Sequence, residues 1–203
     1  MSSYIHTYSG RKFTYSDPRD ILVEDIAHQL SNIARFAGAT SKHYSVAQHS
    51  GLVADIVRDY LGGDTETVYA ALFHDSHEMA MSDIPTPFQI WMRDEICGGV
   101  DYLEMAKIAL DDRIMPAVGA CWPLNESDKQ IIKQADRMAL VLEASQLFDN
   151  SAYSSWGSEY ARRYGLPAID LRIEPMVQSD AKADFMKRYH YLWQELHPKS
   201  LAI

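Results

Sequence analysis

His74 and Asp75 are adjacent, His49 lies 25 positions before that pair, and Asp136 stands far downstream. Imidazole nitrogen and carboxylate oxygen suit Mn, Co, Fe, Ni, Zn or Mg in a six-coordinate site better than a four-coordinate structural zinc. Two imidazoles and two carboxylates around one divalent metal ion leave positions open for water and a phosphate oxygen. Water on such an ion becomes acidic enough to supply hydroxide near neutral pH. The chemistry these residue types support together is therefore metal-dependent phosphate-ester hydrolysis. Taken singly they say little: His49 would be an ordinary core or surface histidine, and Asp136 an ordinary helix partner of Lys133 or Arg137. The reading stands or falls on four distant side chains converging.

Helices must bring them together. Residues 4–8 and 11–15 alternate around Ser9-Gly10, which predicts a small hairpin, and Ser16-Asp17-Pro18 then breaks the chain. Ile26, Leu30 and Ile33 form a stripe that predicts a helix over 23–36, ended by Gly38, with Arg35 and Phe36 on its last turn. A second helix is expected over 45–60, with Val46, Val53, Ile56 and Val57 inward and His49 within it, stopped by Gly62-Gly63. Asp64 is suited to cap a third helix from Thr65, whose C-terminal part carries His74 and Asp75. Glu78, three residues after Asp75 and four after His74, would share their face.

Asp83 opens a loop stiffened by Pro85 and Pro87. Further helices are expected over 88–94 and 100–110, then over 127–148 with Ser127 as cap and Asp136 interrupting its apolar set. Short and terminal helices over 155–164 and 181–196 follow, joined by an irregular 166–178. The rhythm of a parallel sheet is missing, so the fold class is all-α with a short N-terminal β-hairpin.

The 203 residues fit one compact domain, and 47% hydrophobic content is ample for a core. A formal charge of -9 leaves no extended basic surface, which excludes extended nucleic acid as a partner but not a small anion held by a metal and arginine. No apolar run is long enough to span a membrane, and residues 1–6 do not form a signal peptide. Cys97 and Cys121 form no CxxC and no dense framework; their spacing leaves a single disulfide open, and buried thiols in a reducing compartment are the expectation. A cytoplasmic location follows as the expectation.

Four stretches carry a resemblance: Tyr44-Ser45-Val46-Ala47-Gln48-His49-Ser50, Ala71-Leu72-Phe73-His74-Asp75-Ser76-His77-Glu78, Ser82-Asp83-Ile84-Pro85-Thr86-Pro87, and Lys133-Gln134-Ala135-Asp136-Arg137. Together they resemble the HD-domain phosphohydrolase superfamily, and most of all its small branch of 5′-deoxynucleotidases and deoxynucleoside triphosphate hydrolases from bacteria and phages. The resemblance covers about residues 21–148. It implies an HD-domain helical bundle forming a single domain over 1–203: a hairpin extension (1–20), the core (21–148) and a C-terminal helical completion (149–203). One departure is Gln48, which stands where many relatives have Glu.

The resemblance also implies roles. The metal ligands would be His49, His74, Asp75 and Asp136. Glu78 would hold the attacking water or protonate the leaving oxygen. Arg35 would grip phosphate with its planar fork, and Phe36 would pack against the sugar. Asp83 would meet the 3′-hydroxyl, and Lys42 and His43 would add positive charge beside the phosphates. Glu143 shares a face with Asp136 and is as suited to a salt bridge as to a substrate role. His77 is expected beside the ligands or exposed.

The expected reaction is in-line hydrolysis at the 5′-phosphate of a nucleotide, as a deoxynucleoside monophosphatase or a dNTP triphosphohydrolase. Two rivals are an HD-type hydrolase of a cyclic or signalling nucleotide, and a non-catalytic nucleotide-binding protein. Members of the resembled branch are homo-oligomers, and the aromatic-rich end of the last helix (Tyr191, Leu192, Trp193) could supply a contact or simply cover the core.

Overall fold

Burial of the helical stripes organises the chain around one central helix. In the computed structural model, which describes residues 3–16 and 21–198, that helix is α2 (Val46–Asp59). Ser45 caps it, its hydroxyl accepting from the Gln48 N–H at 3.2 Å. Val46, Val53, Ile56 and Val57 are all buried, as their spacing predicts. Around α2 pack α1 (Val23–Asn32), α3 (Thr65–Leu72), α7 (Glu126–Gln146) and α9 (Gln178–Leu196). The described residues are otherwise α4 (Glu78–Met81), α5 (Thr86–Trp91), α6 (Tyr102–Ala117), α8 (Ser151–Tyr164) and an antiparallel hairpin, β1 (Tyr4–His6) with β2 (Lys12–Thr14). The fold is the expected all-α arrangement with a short N-terminal hairpin. No described helix is long and apolar enough to cross a membrane.

The hairpin is pinned by a buried carboxylate. Asp25, in the first turn of α1, accepts from the Thr7 hydroxyl, the Ser9 N–H and the Ser9 hydroxyl at 2.8, 2.7 and 2.8 Å. These donors satisfy a charge that would otherwise be costly to bury. Gly10 takes a positive φ of 81° in the turn, as its residue type permits. Asp17 and Pro18, expected to break the chain, lie outside the described residues.

Several boundaries differ from expectation for local reasons. Helix α1 stops at Asn32 rather than Phe36 because Ala34 and Ser45 form an antiparallel bridge. The Arg35 N–H goes to the Tyr44 carbonyl (2.9 Å) and the Val46 N–H to the Ile33 carbonyl (3.1 Å), so these groups leave the helical ladder. Asn125, not Ser127, caps α7, since its side chain accepts from the Asp128 N–H. Asn150 likewise caps α8, which starts four residues earlier than expected. After α5 the chain widens into a π-helical turn at Met92–Ile96, and α6 extends to Ala117. The two thiols are unpaired, but Cys97 is half-buried and Cys121 exposed, so the expectation that both are buried is corrected. Of the last helix's residues, Leu192 is buried on the core while Tyr191 is exposed.

Candidate metal centre

Helix α3 ends at Leu72, so His74 and Asp75 do not ride on a helix as expected. The chain instead tightens into successive turns: the Ser76 N–H reaches the Phe73 carbonyl (2.9 Å), and the Glu78 N–H reaches that of Asp75 (3.0 Å). These turns replace a shared helix face with a compact knuckle that aims His74, Asp75 and Glu78 at α2 and α7. His49, in the first turn of α2, and Asp136, midway along α7, meet it from those helices.

All four side chains converge. His49 Nε2 lies 3.1 Å from Asp136 Oδ1 and 3.5 Å from Asp75 Oδ2, and His74 Nε2 lies 3.2 Å from Asp75 Oδ2. The two rings are 5.3 Å apart between centroids. Each imidazole is oriented from behind. His49 Nδ1–H donates to Glu143 Oε1 at 2.7 Å, and His74 Nδ1–H donates to the Ala71 carbonyl at 2.8 Å. A carbonyl or ionised carboxylate can only accept, so whenever the rings are neutral, as metal binding requires, their lone pairs sit on Nε2. Both Nε2 atoms are buried and lack any partner of hydrogen-bond geometry, despite the nearby carboxylates. Buried polar atoms are normally paired, and two orphaned lone pairs facing two carboxylates fit a divalent cation. His49, His74 and Asp136 form one cluster able to hold such an ion; Asp75, His77 and Glu78 form another alongside.

Charge in the cluster is far from its solution behaviour. Burial and Arg35 disfavour the His49 imidazolium, yet Glu143 and Asp136 outweigh them and push it up to about 9. Burial opposes protonation of His74 too, but Asp75 and Asp136 carry it to about 9. Burial would raise Asp75, and His74 with His49 instead holds it well below the usual carboxylate range; His49 and His74 do the same more gently for Asp136. Such a cluster attracts cations, whether protons or metal.

Glu143 is where the sequence said least. It is fully buried, and its second oxygen accepts from Arg35 Nη2 at 3.1 Å, so one carboxylate joins His49 to Arg35. Burial alone would raise it; Arg35 and His49 hold it down to about 2. Burial works against the Arg35 charge, but Glu143, Asp75 and Asp136 more than restore it. Arg35 Nη1 is 3.9 Å from Asp75 Oδ2 and its Nε is buried without a partner. The signal available in the sequence was a lone acid within the apolar stripe of α7, two turns after Asp136.

Arg35 stands not on a helix end but in a one-turn 3-10 segment, Arg35–Gly38, in which Phe36 and Ala37 hold positive φ of 55° and 51°. Ser82, just before Asp83, has φ 71° and ψ 165°. Such conformations cost of order 1–3 kcal/mol each and cluster at functional sites. The Arg35, Phe36 and Asp83 side chains line one cavity of about 810 Å³. Glu78 is 7% exposed with Oε2 buried and unpartnered; burial, then Asp75 and Asp83, push its carboxyl up to about 9. Burial also raises Asp83.

The remaining expected residues sit apart. His43 Nε2 contacts the Ser31 carbonyl at 3.1 Å, Lys42 is exposed, and neither lines the cavity. His77 is buried, its Nδ1–H donating to Asp111 Oδ1 at 3.0 Å, a partner that sequence spacing did not point to. Gln48 turns away from the metal cluster: its amide donates to the Glu174 carbonyl and accepts from the Met176 N–H. It thereby ties the irregular segment before α9 to α2.

Comparison with known proteins places the chain among close relatives without a described activity. No known family model matches it. It is 32% identical to the uncharacterized protein YfdR of Escherichia coli K12 over 193 residues, 94% of this chain and 96% of that one. It is 36% identical to the uncharacterized protein RCAP_rcc00048 of Rhodobacter capsulatus over 205 residues, 93% and 94% of the two chains. Among solved structures it is similar to the cyanophage S-2L HD phosphohydrolase DatZ, bound to dA and one catalytic Zn2+ ion. That similarity has a TM-score of 0.49 and 17% identity, over 86% of this chain and 98% of that one.

Proposed function

The chain belongs to the family that includes YfdR of Escherichia coli and RCAP_rcc00048 of Rhodobacter capsulatus, and for this member we propose a metal-dependent phosphohydrolase of the HD type, acting on the 5′-phosphate of (deoxy)nucleotides. The observation that carries the reading is the pair of buried, unpartnered Nε2 lone pairs on His49 and His74, turned toward Asp75 and Asp136. His49, His74, Asp75 and Asp136 would hold the ion. When bound there, a divalent metal supplies Lewis acidity toward water and the phosphoryl oxygens.

The chain's own groups do the rest. Arg35, held by Glu143 from behind, presents its remaining donors to phosphate oxygens. Attack of water on phosphorus breaks the P–O5′ bond, and the departing 5′-oxygen needs a proton. Glu78 would give it; burial and the neighbouring Asp75 and Asp83 favour its neutral acid form, which supports that role. Phe36 packs against the sugar and Asp83 accepts from its 3′-hydroxyl, both from the cavity that Arg35 lines. The products are nucleoside and phosphate, or nucleoside and inorganic triphosphate.

The test is product analysis with Mn- or Co-loaded protein across deoxy- and ribonucleoside mono- and triphosphates, beside a His74→Ala variant. We expect release of phosphate or triphosphate by the wild type, and a variant that has lost both metal and turnover. Full metal content and full rate in His74→Ala would refute the assignment.

A second reading is favoured by the Asp75, His77 and Glu78 cluster, whose ligand atoms also lie within 4.8 Å of one another. Two adjacent ions would suit hydrolysis of a cyclic or signalling nucleotide. Two metals bound per chain, with cleavage of a cyclic phosphodiester and none of 5′-monoesters, would select it.

A further inference from the structure

We propose that the face of α8 carrying Tyr153 and Trp156 is a nucleobase platform, one that holds the base by stacking and does not read its edge. The inference rests on the phosphohydrolase reading for the orientation of the ligand, and assigns a role to a helix outside the four motif stretches.

Residues 153, 156 and 160 recur at helical spacing, which puts Tyr153, Trp156 and Tyr160 on one face. All three line the cavity that Arg35 and Asp83 also line, so one concave site runs from the phosphate-gripping end to an aromatic wall. Gly157, one turn after Tyr153, borders this face where α8 meets α7. A side chain there would press on Ala144, since an added Cβ would lie 3.3 Å from the Ala144 Cβ. Glycine thus seats α8 closely on α7 and leaves the aromatic face toward the cavity.

The wall is tied to the phosphate end through rings. Tyr153 stacks on Phe148 at 3.6 Å with 8° between planes, and Phe148 meets Phe36 edge-on at 5.1 Å. One face of Tyr153 is therefore already covered. Trp156 is different: its single ring neighbour among the described residues is Tyr160, tilted at 5.5 Å, and it remains 43% exposed. A large indole left unstacked in the wall of a concave site, on the same cavity as a phosphate-binding arginine, fits a flat aromatic group in the ligand.

The chemistry of the wall also limits what it can discriminate. Arg35 and Asp83 are the charged side chains lining the cavity, and the phosphate and sugar engage both. Among the described residues no Asn or Gln lines it to offer the paired donor and acceptor that distinguishes adenine from guanine, and the hydroxyls of Thr86, Tyr153 and Tyr160 rotate to donate or accept and so favour neither purine. Selection then follows stacking area, so purines bind more tightly than pyrimidines and the two purines bind alike.

Isothermal titration of the full-length protein with deoxyadenosine, deoxyguanosine, deoxycytidine and 2-deoxyribose 5-phosphate tests this without turnover. Trp156→Ala should raise the Kd for deoxyadenosine about tenfold, a typical loss for one stacked base. Trp156→Phe should keep it within about threefold of wild type, since a smaller ring still stacks. The Kd for 2-deoxyribose 5-phosphate, which has no base, should not move in either variant. An unchanged Kd for deoxyadenosine in Trp156→Ala, or an equal loss for the base-free phosphate, would overturn the platform. So would a preference between adenine and guanine of more than about tenfold, the mark of edge reading rather than stacking. Nucleosides carry no phosphate, so their binding is decided even if no nucleotide is hydrolysed. Conversely, hydrolysis of nucleotides by a protein whose Trp156→Ala variant binds normally would remove the platform and leave the phosphohydrolase reading standing.

Discussion

Replacing Glu143 by Gln changes one buried oxygen into an NH2 group and leaves the shape almost intact. Its two oxygens now accept from His49 Nδ1 at 2.7 Å and from Arg35 Nη2 at 3.1 Å, and no solvent reaches them. An amide cannot serve both donors. With its oxygen toward His49, its NH2 faces the Arg35 fork, donor against donor. With the amide reversed, His49 must take the other tautomer and carry its proton on Nε2, the nitrogen that faces Asp75 and Asp136. The second arrangement blocks metal binding outright, and the first loosens the ring. Loss of such a supporting contact typically costs about 10- to 100-fold in metal affinity, or roughly 1.4–2.8 kcal/mol.

Stability falls as well. Removing one partner of a buried ion pair costs about 3–5 kcal/mol, and Asp75, 3.9 Å from Arg35, keeps the cost at the low end. The depressed acidity of Glu143 expresses the same interaction and is of the same order: a carboxyl moved from 4.5 to about 2 is worth about 3 kcal/mol. Because the folded-state value is depressed, this contribution is fully present above pH 4.5 and is lost as pH falls toward 2. Urea unfolding of the metal-free protein at pH 7 should therefore show a loss of about 3 kcal/mol in Glu143→Gln. The gap between the two proteins should narrow on acidification through that window. Manganese titration at pH 7 should show the weakened affinity. Wild-type metal affinity together with wild-type stability in this variant would refute the bridging role of Glu143.

Other expectations are local. Ser82→Gly should raise the melting temperature by about 2–4 °C, because glycine adopts φ 71°, ψ 165° without strain of about 1 kcal/mol; a lower melting temperature would show that Ser82 stores none. Asp64 caps α3 by accepting from the Thr67 N–H at 2.9 Å, so Asp64→Ala should cost about 1 kcal/mol in thermal unfolding at pH 7. That same Thr67 bond holds the Asp64 carboxyl below its usual 3.8. The cap's contribution is thus present above 3.8, and the difference between wild type and Asp64→Ala should shrink as pH drops through the lowered value. A difference that grew on acidification would contradict the cap.

The helices were legible because each buries a stripe with its own period. The α2 stripe of Val46, Val53, Ile56 and Val57, and the α3 set of Val68, Ala71 and Leu72, are buried as their spacing requires. The cap at Asp64 was legible because its side chain competes alone for the first free N–H groups of α3; Ser45, which caps α2, was legible only as the start of that helix. At α7, Asn125 lies two residues before Ser127 and takes the cap, because its amide oxygen reaches the Asp128 N–H. Where tertiary partners override periodicity, the pattern misled. The apolar stripe of α1 continues through Ile33, yet the backbone leaves the helix to bond with Tyr44 and Val46.

That departure bears on how the candidate site is assembled. A helix through residue 36 would carry Arg35 around with the α1 stripe, facing wherever that stripe dictates. The bridge to Ser45 instead sets Arg35 beside the first turn of α2, which bears His49, within reach of Glu143 on α7. A helix continued through Glu78 would likewise hold His74, Asp75 and Glu78 in fixed rotation; the turns after Leu72 free each to find its own direction. Phe36 and Ala37, at the first of these breaks, hold positive φ next to Arg35, and Ser82 does so at the end of α4, next to Asp83. Helical periodicity locates side chains only along regular helices, so it placed the candidate ligands His49 and Asp136 on α2 and α7 once the motif stretches had singled them out. The groups of the knuckle and the Arg35 turn are directed by contacts between segments distant in the chain, to which a periodic pattern is blind. Regular helices supply the rigid frame, and the strained interruptions between them aim the chemistry.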